Sequence, residues 1–391
     1  MTVHVPASAD ELAGIITDAR ATQTPLAVAG GKTRTGLGRP VQAAAEISTA
    51  KLAGITLYEP AELVIAAKAG TPLREVIETL DARGQRLPFE PMDHRRLYGT
   101  TGEPTVGGVA AGNVSGPARI NLGAARDAMI GLKFVNGRGE DIKSGGRVMK
   151  NVTGLDLVKA LAGSHGTLAV FHEVCFKVLP KAETERTLAL TGLDDIRAIE
   201  ALSVALGSPF EPTGAAHLPA ESASRARTLI RIEGVPSSLD YRAGQLSKLL
   251  KAHGALDALA EAEAATLWAD IRDAAFFAGV PNPVWRVSVA PSKGAALGAA
   301  LTARGARVFY DWGGGLVWAM LAGDDPQSAF VHAGASRHGG YATLVRASEQ
   351  ARLVADVFSA PTAPLMALQK KLKTSFDPDG ILNPGRMYAG L

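Results

Sequence analysis

The most informative stretch of this chain lies at residues 105–116 and reads TVGGVAAGNVSG. Its glycines alternate with small apolar residues, a pattern typical of backbone that lies very close to another segment or to a ligand. It belongs to a wider region, residues 29–170, where most of the glycine clusters lie in a chain with 43 glycines among 391 residues. Because the usual glycine content is only about 7%, this local excess indicates special turns and close approaches rather than general flexibility.

Length and composition indicate a folded protein of about two domains. A single hydrophobic core rarely exceeds about 250–300 residues, whereas this chain has 391, of which 47% are hydrophobic and 20% charged. The net charge of +3 gives no sign of a nucleic-acid partner. No apolar run approaches the ~20 residues of a membrane-spanning helix, and the first residues do not resemble a signal peptide. We therefore expect a cytoplasmic protein without direct membrane insertion, and attachment to the inner membrane through partners stays open.

The chain has a single cysteine, Cys175. This excludes an internal disulfide, a cysteine-ligated zinc site and an iron–sulfur cluster held by this chain alone, because each needs several thiolates. Redox chemistry would then require an organic cofactor or a partner. Cys175 lies between Val174 and Phe176 in an apolar segment, which favours a buried structural thiol.

Local patterns predict a sequence of helices and strands. Ser8 and Glu11 form a capping box for a first helix, and Pro72 opens another at its first position. From about 185 to 350 the pattern approximates two β-α-β-β-α units, which predicts an antiparallel sheet with helices on one face. The strands are expected at 187–190, 228–232, 284–289, 308–311, 316–320 and 342–346, and the helices at 194–206, 238–253, 256–277, 293–304 and 325–338.

Two familiar nucleotide-binding motifs are absent, because each lacks a glycine at a required position. The run at 31–33 resembles the end of a phosphate-binding loop, but that motif needs a glycine where this chain has Leu26. The three-glycine dinucleotide motif fails both from Gly36 and from Gly137, because the third glycine is missing.

The run Ala29-Gly30-Gly31-Lys32-Thr33 nevertheless has the chemistry of an anion site. It follows a short apolar strand, its glycines allow backbone N–H groups to point at one anion, and Thr33 adds a hydroxyl donor. On its own the run fits a plain Gly-Gly turn at least as well.

Further segments, which follow one another in a fixed order along the chain, favour the interpretation of residues 29–33 as an anion site. They lie at 58–73, 84–91, 105–131 and 150–180, with an Asn-Pro-Gly tail at 383–385. Together with residues 29–33 they resemble the FAD-binding domain of the vanillyl-alcohol-oxidase (PCMH-type) flavoprotein superfamily. Within it the chain is similar to the FAD-binding subunits of bacterial glycolate oxidases.

The resemblance implies an α+β fold with three parts. A PCMH-type FAD-binding domain would cover residues 1–181. A cap domain with an antiparallel sheet flanked by helices would cover 182–355, and a C-terminal segment, 356–391, would return to the FAD domain.

The resemblance also implies FAD as the cofactor, bound non-covalently because residues 29–33 contain no histidine or cysteine. The diphosphate would lie over 29–33, the flavin along the central glycine-rich stretch, and the adenine near 163–170. Glycines are expected there because a flat cofactor laid along backbone leaves no room for Cβ atoms; for Gly163 and Gly166, packing of one turn against another is the alternative. The implied cofactor-binding residues are Ala29, Gly30, Gly31, Lys32, Thr33, Gly70, Thr71, Gly107, Gly108, Asn113, Ser115, Gly116, Gly163, Ser164, Gly166, Thr167 and Val170.

Oxidation of a 2-hydroxy acid needs a cation for the carboxylate, a base for the hydroxyl proton and a flavin. Candidates for the cation are Arg286, Arg337 and Arg346, although solvated surface charges are the better explanation of each. Related dehydrogenases carry a clustered histidine metal motif that residues 185–350 lack, so no metal is expected and independent catalysis is in doubt. Trp285, Trp312 and Trp318 are expected in the core or at an interface.

The resemblance therefore implies the FAD-binding subunit of a glycolate oxidase (glycolate dehydrogenase) complex. Such a subunit would support oxidation of glycolate to glyoxylate beside a second flavoprotein subunit, with electrons passed to an iron–sulfur subunit. Two alternatives stay open: a self-sufficient FAD-dependent dehydrogenase of another small 2-hydroxy acid, and a flavin-containing assembly subunit without turnover.

Overall fold

A computed structural model describes residues 1–146, 155–220 and 225–391. Part of one segment of the family resemblance, residues 150–154, lies outside these ranges. Within them, none of the helices combines the length and the apolar character needed to cross a bilayer.

The first part of the chain builds two sheets and several short helices. Ser8 caps the first helix by accepting from the Glu11 N–H at 3.1 Å, and the Glu11 carboxylate accepts from the Ala7 N–H at 2.8 Å, so the predicted helix start is confirmed. Pro72 precedes the second helix rather than opening it. The elements are β1 (Thr2–His4), α1 (Ala9–Ala21), β2 (Leu26–Ala29), β3 (Ala45–Ser48), β4 (Ile55–Glu59), β5 (Val64–Lys68), α2 (Leu73–Asp81), β6 (Gln85–Arg86), α3 (Arg95–Tyr98), α4 (Val106–Gly112), α5 (Arg119–Leu122), α6 (Ala125–Ala128), β7 (Met129–Asn136), β8 (Asp141–Gly145), α7 (Leu157–Leu161), β9 (Ala169–Lys177) and β10 (Leu179–Pro180).

These strands form a parallel sheet of order β1-β3-β2, an antiparallel sheet of order β4-β5-β9-β7-β8, and the antiparallel pair β6-β10. The glycine-containing loop at 29–33 begins where β2, an edge strand of the parallel sheet, ends. Cys175 lies in β9 and is 6% exposed, which confirms the prediction of a buried thiol.

The second part of the chain contains an eight-stranded antiparallel sheet of order β14-β11-β13-β12-β16-β17-β15-β18. Its strands and helices are β11 (Thr184–Thr191), α8 (Asp195–Leu206), β12 (Gly214–Leu218), β13 (Arg227–Gly234), α9 (Pro236–Leu249), β14 (Asp257–Ala258), α10 (Glu261–Arg272), β15 (Val284–Ser288), α11 (Gly294–Thr302), β16 (Arg307–Asp311), β17 (Leu316–Met320), α12 (Ser328–Arg337), β18 (Tyr341–Arg346), α13 (Glu349–Val354) and α14 (Ala363–Phe376).

The two faces of this sheet belong to different cores. Leu188 and Leu190 share one cluster with apolar residues of α8, α9, α11 and α12. Ala189, between them, belongs to a cluster that includes the core of the first part of the chain. This alternation is expected of a strand, whose successive side chains point to opposite faces. The predicted antiparallel sheet is confirmed, but its helices are not all on one face, because Trp268 and Ile271 of α10 belong to the cluster that contains Ala189.

One predicted helix is wrong in its extent. The helix expected over 256–277 is limited to α10, because residues 257–258 pair with β11 as an edge strand. At the other end Ala274 adopts a left-handed conformation with φ +48°, which an α-helix cannot continue through.

The last residues contact the first part of the chain. The Leu26 N–H donates to the Ile381 carbonyl at 2.7 Å, and the Asn383 N–H donates to the Leu26 carbonyl at 2.9 Å. The tail therefore extends the edge of the parallel sheet next to β2. The domain boundaries at 181 and 355 stay a prediction.

Candidate functional site

A cavity of about 500 Å³ lies where β2, the loop after it, α4 and the C-terminal tail meet. This volume is within the ~300–1,000 Å³ range of small-molecule and cofactor sites. Nine of the predicted cofactor-binding residues line it: Ala29, Gly30, Gly31, Lys32, Thr33, Gly107, Gly108, Gly166 and Val170.

The glycines of the cavity wall are explained by contacts within the protein. A Cβ on Gly31 would collide with the Glu103 carbonyl, and one on Gly30 with the Thr105 hydroxyl. A Cβ on Gly107 would lie 2.9 Å from the Ala69 carbonyl oxygen. Contacts within the protein are therefore sufficient to require glycine at these positions, and the expectation that a cofactor also lies against them stays a prediction. The glycines bring chain segments together and so build the wall.

The other predicted cofactor residues do not line this cavity: Gly70, Thr71, Asn113, Ser115, Gly116, Gly163, Ser164 and Thr167. Several have structural partners. The Asn113 carboxamide oxygen accepts from the Arg126 N–H at 2.9 Å, and the Ser115 hydroxyl accepts from the Ala125 N–H at 3.0 Å. Contact of these eight residues with a cofactor stays a prediction.

Backbone conformation favours glycine at 163 and 166, and close packing adds to this only at 166. Gly163 has φ +83° and Gly166 has φ +72°, and a Cβ on Gly166 would lie 2.8 Å from the Asn383 amide nitrogen. Gly166 therefore joins the tail to the cavity wall, as the packing alternative predicts.

The sequence analysis missed two arginines that add positive charge to the cavity, which is also lined by Lys32, Arg39, Arg352, Glu46 and Glu349. Arg34 and Arg386 both line it, and Nη1 of Arg34 and Nε of Arg386 are buried with no hydrogen-bond partner among the described residues. Burial, together with the charge of Arg386, lowers the pKa of Arg34 to about 10. Buried donors without acceptors are costly. A bound anion would supply the missing acceptors.

The sequence offered a weak signal for these residues. Arg34 directly follows the glycine loop, and Arg386 directly follows the Asn-Pro-Gly tail. Neither motif indicates that the two side chains reach the same cavity, since they come from opposite ends of the chain.

Aromatic and imidazole groups complete the wall. His165 lines the cavity and its ring centroid lies 5.2 Å from that of Phe358. Burial, with the charges of Arg386 and Arg34, lowers the pKa of His165 to about 3, so the ring is neutral at physiological pH. Tyr98 donates its hydroxyl to the Val345 carbonyl, and burial raises its pKa.

The three arginines proposed for substrate binding occupy different settings. Arg346 is only 7% exposed and donates to the carbonyls of Leu97 and Phe277, both at 2.8 Å, so its interpretation as a surface charge is wrong. Arg337 is exposed at the end of α12. Arg286 is half-buried, with its guanidinium carbon 4.8 Å from the Trp312 ring centroid.

Two further predictions concern the tryptophans and a metal site. Trp285, Trp312 and Trp318 are all buried, as expected for core or interface positions. Among the described residues, no three or more histidine, cysteine, aspartate or glutamate side chains are grouped to hold a metal ion.

The donors of the cavity fit a diphosphate-containing cofactor. Residues 29–33 line the cavity, and Nη1 of Arg34 and Nε of Arg386 are cationic donors without an acceptor among the residues that the structure describes. Arginine matches phosphate oxygens well because its planar fork donates two parallel hydrogen bonds. Such a donor set is suited to a dinucleotide cofactor such as FAD.

Comparison with known proteins agrees with this fit. A family model described as a FAD binding domain matches residues 2–145. The chain is 33% identical over 372 residues to glycolate oxidase subunit GlcE of Escherichia coli (strain K12), covering 94% of each protein. Glycolate oxidase subunit GlcD of Bacillus subtilis (strain 168) is 28% identical over 187 residues, which cover 48% of this chain and 38% of GlcD.

A solved structure shows the same fold. Substrate-bound p-cresol methylhydroxylase superposes with a TM-score of 0.72 over 98% of this chain and 88% of that chain, at 13% sequence identity. The predicted PCMH-type fold is confirmed by this superposition. The predicted FAD cofactor and the prediction of an oxidoreductase are confirmed by the family model and by the similarity to GlcE. With its FAD binding domain and its near full-length similarity to GlcE, this chain belongs to the family of FAD-linked oxidoreductases that includes GlcE.

Proposed function

We propose that this chain is the FAD-binding subunit of a complex that oxidises glycolate to glyoxylate. The observation that carries the proposal is the similarity to GlcE, which extends over 94% of both proteins. A shared cofactor domain alone would not extend through the second part of the chain, where the eight-stranded sheet lies.

In this proposal Arg34, Arg386 and the loop at 29–33 hold the FAD diphosphate. When bound, FAD supplies two-electron redox chemistry to the site. The neutral ring of His165 lies in the wall without adding charge. The loop at 29–33 offers no histidine or cysteine for a covalent bond, so FAD is expected to dissociate.

Acid precipitation tests the non-covalent attachment. Flavin is expected in the supernatant after the FAD-loaded chain is precipitated. A pellet that stays yellow after washing would contradict the proposal, and mass spectrometry of its peptides would show whether His165 carries the flavin.

The chain is proposed to work only with partners. Its single cysteine is buried in β9, so it has no set of thiolates for an iron–sulfur relay. A second flavoprotein subunit and an iron–sulfur subunit would supply the remaining chemistry and carry electrons away.

The decisive experiment compares the FAD-loaded chain with its native complex, using glycolate and an artificial electron acceptor. The complex is expected to turn over, and the isolated chain is expected to be at least about a hundredfold slower, which corresponds to about 2.7 kcal/mol in activation free energy. Full-rate turnover by the isolated chain would refute the need for partners. If other 2-hydroxy acids bleach the flavin anaerobically and glycolate does not, the chain is instead a self-sufficient dehydrogenase.

A further inference from the structure

A short segment of the second part of the chain leaves the eight-stranded sheet, reaches the cofactor cavity and returns to the strand that it left. It begins at the end of β18, and the chain then comes back beside the same strand. There the Leu344 N–H donates to the Val357 carbonyl at 2.8 Å. The Ser359 N–H likewise donates to the Ala342 carbonyl at 3.1 Å. We call residues 347–354, which include α13, the flap; surface loops of this length whose ends lie close together are frequently functional.

Both ends of the flap are fixed. Before it, Arg346 is buried and donates to the Leu97 carbonyl at 2.8 Å. After it, Ala355 and Val357 are buried in an apolar cluster on the helix-covered face of the sheet. Any movement of the flap is therefore expected to take place about a firm base.

The flap itself has little apolar packing. Among the six residues of α13, all of which the structure describes, only Arg352 is buried. Leu353 is 41% exposed and Val354 is 86% exposed. Segments with few buried apolar contacts open locally at a lower free energy than the core does.

Hydrogen bonds from two arginines hold the flap against the first part of the chain. Arg39 donates to the Leu353 carbonyl at 2.6 Å and to the Ala355 carbonyl at 3.1 Å. In the opposite direction, Arg352 of the flap donates to the Gly38 carbonyl at 2.8 Å. Each arginine thus reaches across to the backbone of the segment that carries the other.

This joint lies at the cofactor cavity. Arg39 and Arg352 both line the cavity, as does Glu349 at the start of α13. The Arg386 carbonyl accepts from the Arg39 N–H at 2.8 Å, and Nε of Arg386 is the buried donor without an acceptor among the described residues. An anionic group bound to Arg386 would therefore lie close to the joint.

We propose that the flap is a gate for the cofactor, which opens about its base to admit or release FAD and is held shut by Arg39 and Arg352. The proposal rests on the placement of FAD in this cavity. A residue that only contacts bound FAD slows its release. A gate slows both entry and release, because FAD passes through the same opening in both directions.

The rates of FAD binding and release test the gate. Stopped-flow fluorescence of the apoprotein of the full chain gives the association rate, and trapping of released FAD by an excess of an unrelated apoflavoprotein gives the dissociation rate. Arg39→Gln is expected to raise both rates at least about threefold, because it removes charge-assisted hydrogen bonds that hold the flap. The dissociation constant, as the ratio of the two rates, is expected to change less than either of them.

A second substitution loosens the flap and leaves every charge of the cavity in place. Ser348 caps α13 by accepting from the Ala351 N–H at 3.2 Å. Ser348→Ala is expected to raise both rates about twofold to threefold, because loss of an N-cap destabilises a helix. Ser8→Ala removes the corresponding cap of α1, where Ser8 accepts from the Glu11 N–H at 3.1 Å. It is the matched control and is expected to leave both rates unchanged.

Two results would overturn the gate. One is unchanged rates in both Arg39→Gln and Ser348→Ala. The other is slower binding with faster release in Arg39→Gln and unchanged rates in Ser348→Ala, because that pattern is expected of an arginine that only attracts FAD.

Hydrogen exchange measures the flap in the absence of FAD. In the apoprotein, the amides of residues 347–354 are expected to exchange faster in Arg39→Gln than in the unchanged chain, while those of α14 exchange equally in both. Equal exchange over the flap would show that Arg39 does not hold it closed and would also overturn the proposal.

Failure of the gate is distinguishable from failure of the cofactor placement. If Arg34→Gln leaves FAD affinity unchanged, the placement of FAD in this cavity fails, and the gate fails with it. If Arg34→Gln weakens FAD binding while both flap variants keep the original rates, the placement stands and only the gate fails.

Discussion

At the residue scale, the cavity wall depends on close backbone contacts. A Cβ on Gly31 would collide with the Glu103 carbonyl, whereas one on Gly14 in α1 would meet no atom within 4 Å. Gly31→Ala is therefore expected to displace the loop and to weaken FAD binding by at least about tenfold, which is ~1.4 kcal/mol. Fluorescence titration of the apoprotein with FAD measures this.

Gly14→Ala is the matched control for that substitution. It replaces glycine within a helix, where alanine is favoured by up to ~1 kcal/mol, and is expected to leave FAD affinity unchanged. Equal FAD affinity in Gly31→Ala and the unchanged chain would show that the loop geometry is not needed for the cofactor.

A buried carboxyl group gives the protein a predicted pH dependence. Asp311 is 2% exposed, and burial raises its pKa to about 7, above the ~3.9 of an unfolded aspartate. The folded state therefore holds this proton more tightly, and its stabilising effect is present below about pH 4 and is lost as the pH rises through about 7.

Asp311→Asn removes this titration. Its melting temperature is expected to fall less between pH 5 and pH 8 than that of the unchanged protein, as measured by differential scanning calorimetry. Asp324→Asn, at an exposed aspartate, should keep the original pH profile. Parallel profiles for Asp311→Asn and the unchanged protein would contradict the raised pKa.

Residue patterns predicted local features better than distant partners. The capping pair Ser8 and Glu11 lies within four positions and was identified from spacing alone. Cys175 was placed correctly because its neighbours are apolar. Arg346 was misinterpreted because the carbonyls that accept its hydrogen bonds belong to Leu97 and Phe277, and a single sequence does not indicate which distant backbone groups need a donor.

At the scale of elements, a buried lysine helps to fix helix α14 to the rest of the protein, beside the apolar packing of Leu372 and Phe376. Lys373 is 8% exposed, and its ammonium group lies 2.7 Å from the Thr167 carbonyl oxygen and 2.6 Å from the Asp377 carboxylate. Asp377 is itself only 1% exposed. The ion pair therefore connects the helix and the tail to the segment beside the cavity.

Lys373→Met is expected to destabilise the protein by about 3–5 kcal/mol, because it leaves the Asp377 carboxylate buried without its cation. Chemical denaturation measures the loss, and limited proteolysis should cut the tail after residue 377 more quickly. Lys371→Met, at an exposed position on the same helix, is the control and should change stability by less than about 0.5 kcal/mol. A similarly small effect of Lys373→Met would refute the anchoring role.

At the scale of elements, sequence patterns predict some strands correctly but miss contacts between distant segments. The strands predicted at 308–311 and 316–320 agree with β16 and β17, because both are short apolar runs. The extent of α10 was not predicted, because the pairing of residues 257–258 with β11 is a tertiary contact that helical periodicity does not reveal. The loop at 29–33 was recognised, whereas Arg386 reaches the cavity only because the tail pairs with β2.

At the scale of the whole molecule, buried charges join the first part of the chain to the eight-stranded sheet. Glu90 accepts from Arg231 at 2.8 Å and from the Ala118 N–H at 2.8 Å, and the Arg231 side chain is 4% exposed. Glu90→Gln is expected to lower the free energy of unfolding by about 1–3 kcal/mol, since hydrogen bonds to charged groups are worth roughly that much.

The exposed pair Arg74–Glu78, with side chains 70% and 63% exposed, supplies the control. Glu78→Gln should change stability by less than about 1 kcal/mol, because such surface pairs contribute little. Equal effects of the two substitutions in urea denaturation would show that the Glu90 contact does not hold the two parts together.

The central claim is that this chain binds FAD in the cavity beside Arg34 and Arg386 and contributes that flavin to a glycolate-oxidising complex. The most direct measurement counts flavin per copy of this chain in the purified native complex, with the unchanged chain and with Arg34→Gln. We predict one FAD on each unchanged copy, two FAD per assembly, and loss of the flavin of this chain together with glycolate oxidation in Arg34→Gln. A complex that oxidises glycolate at full rate while this chain carries no FAD would contradict the account.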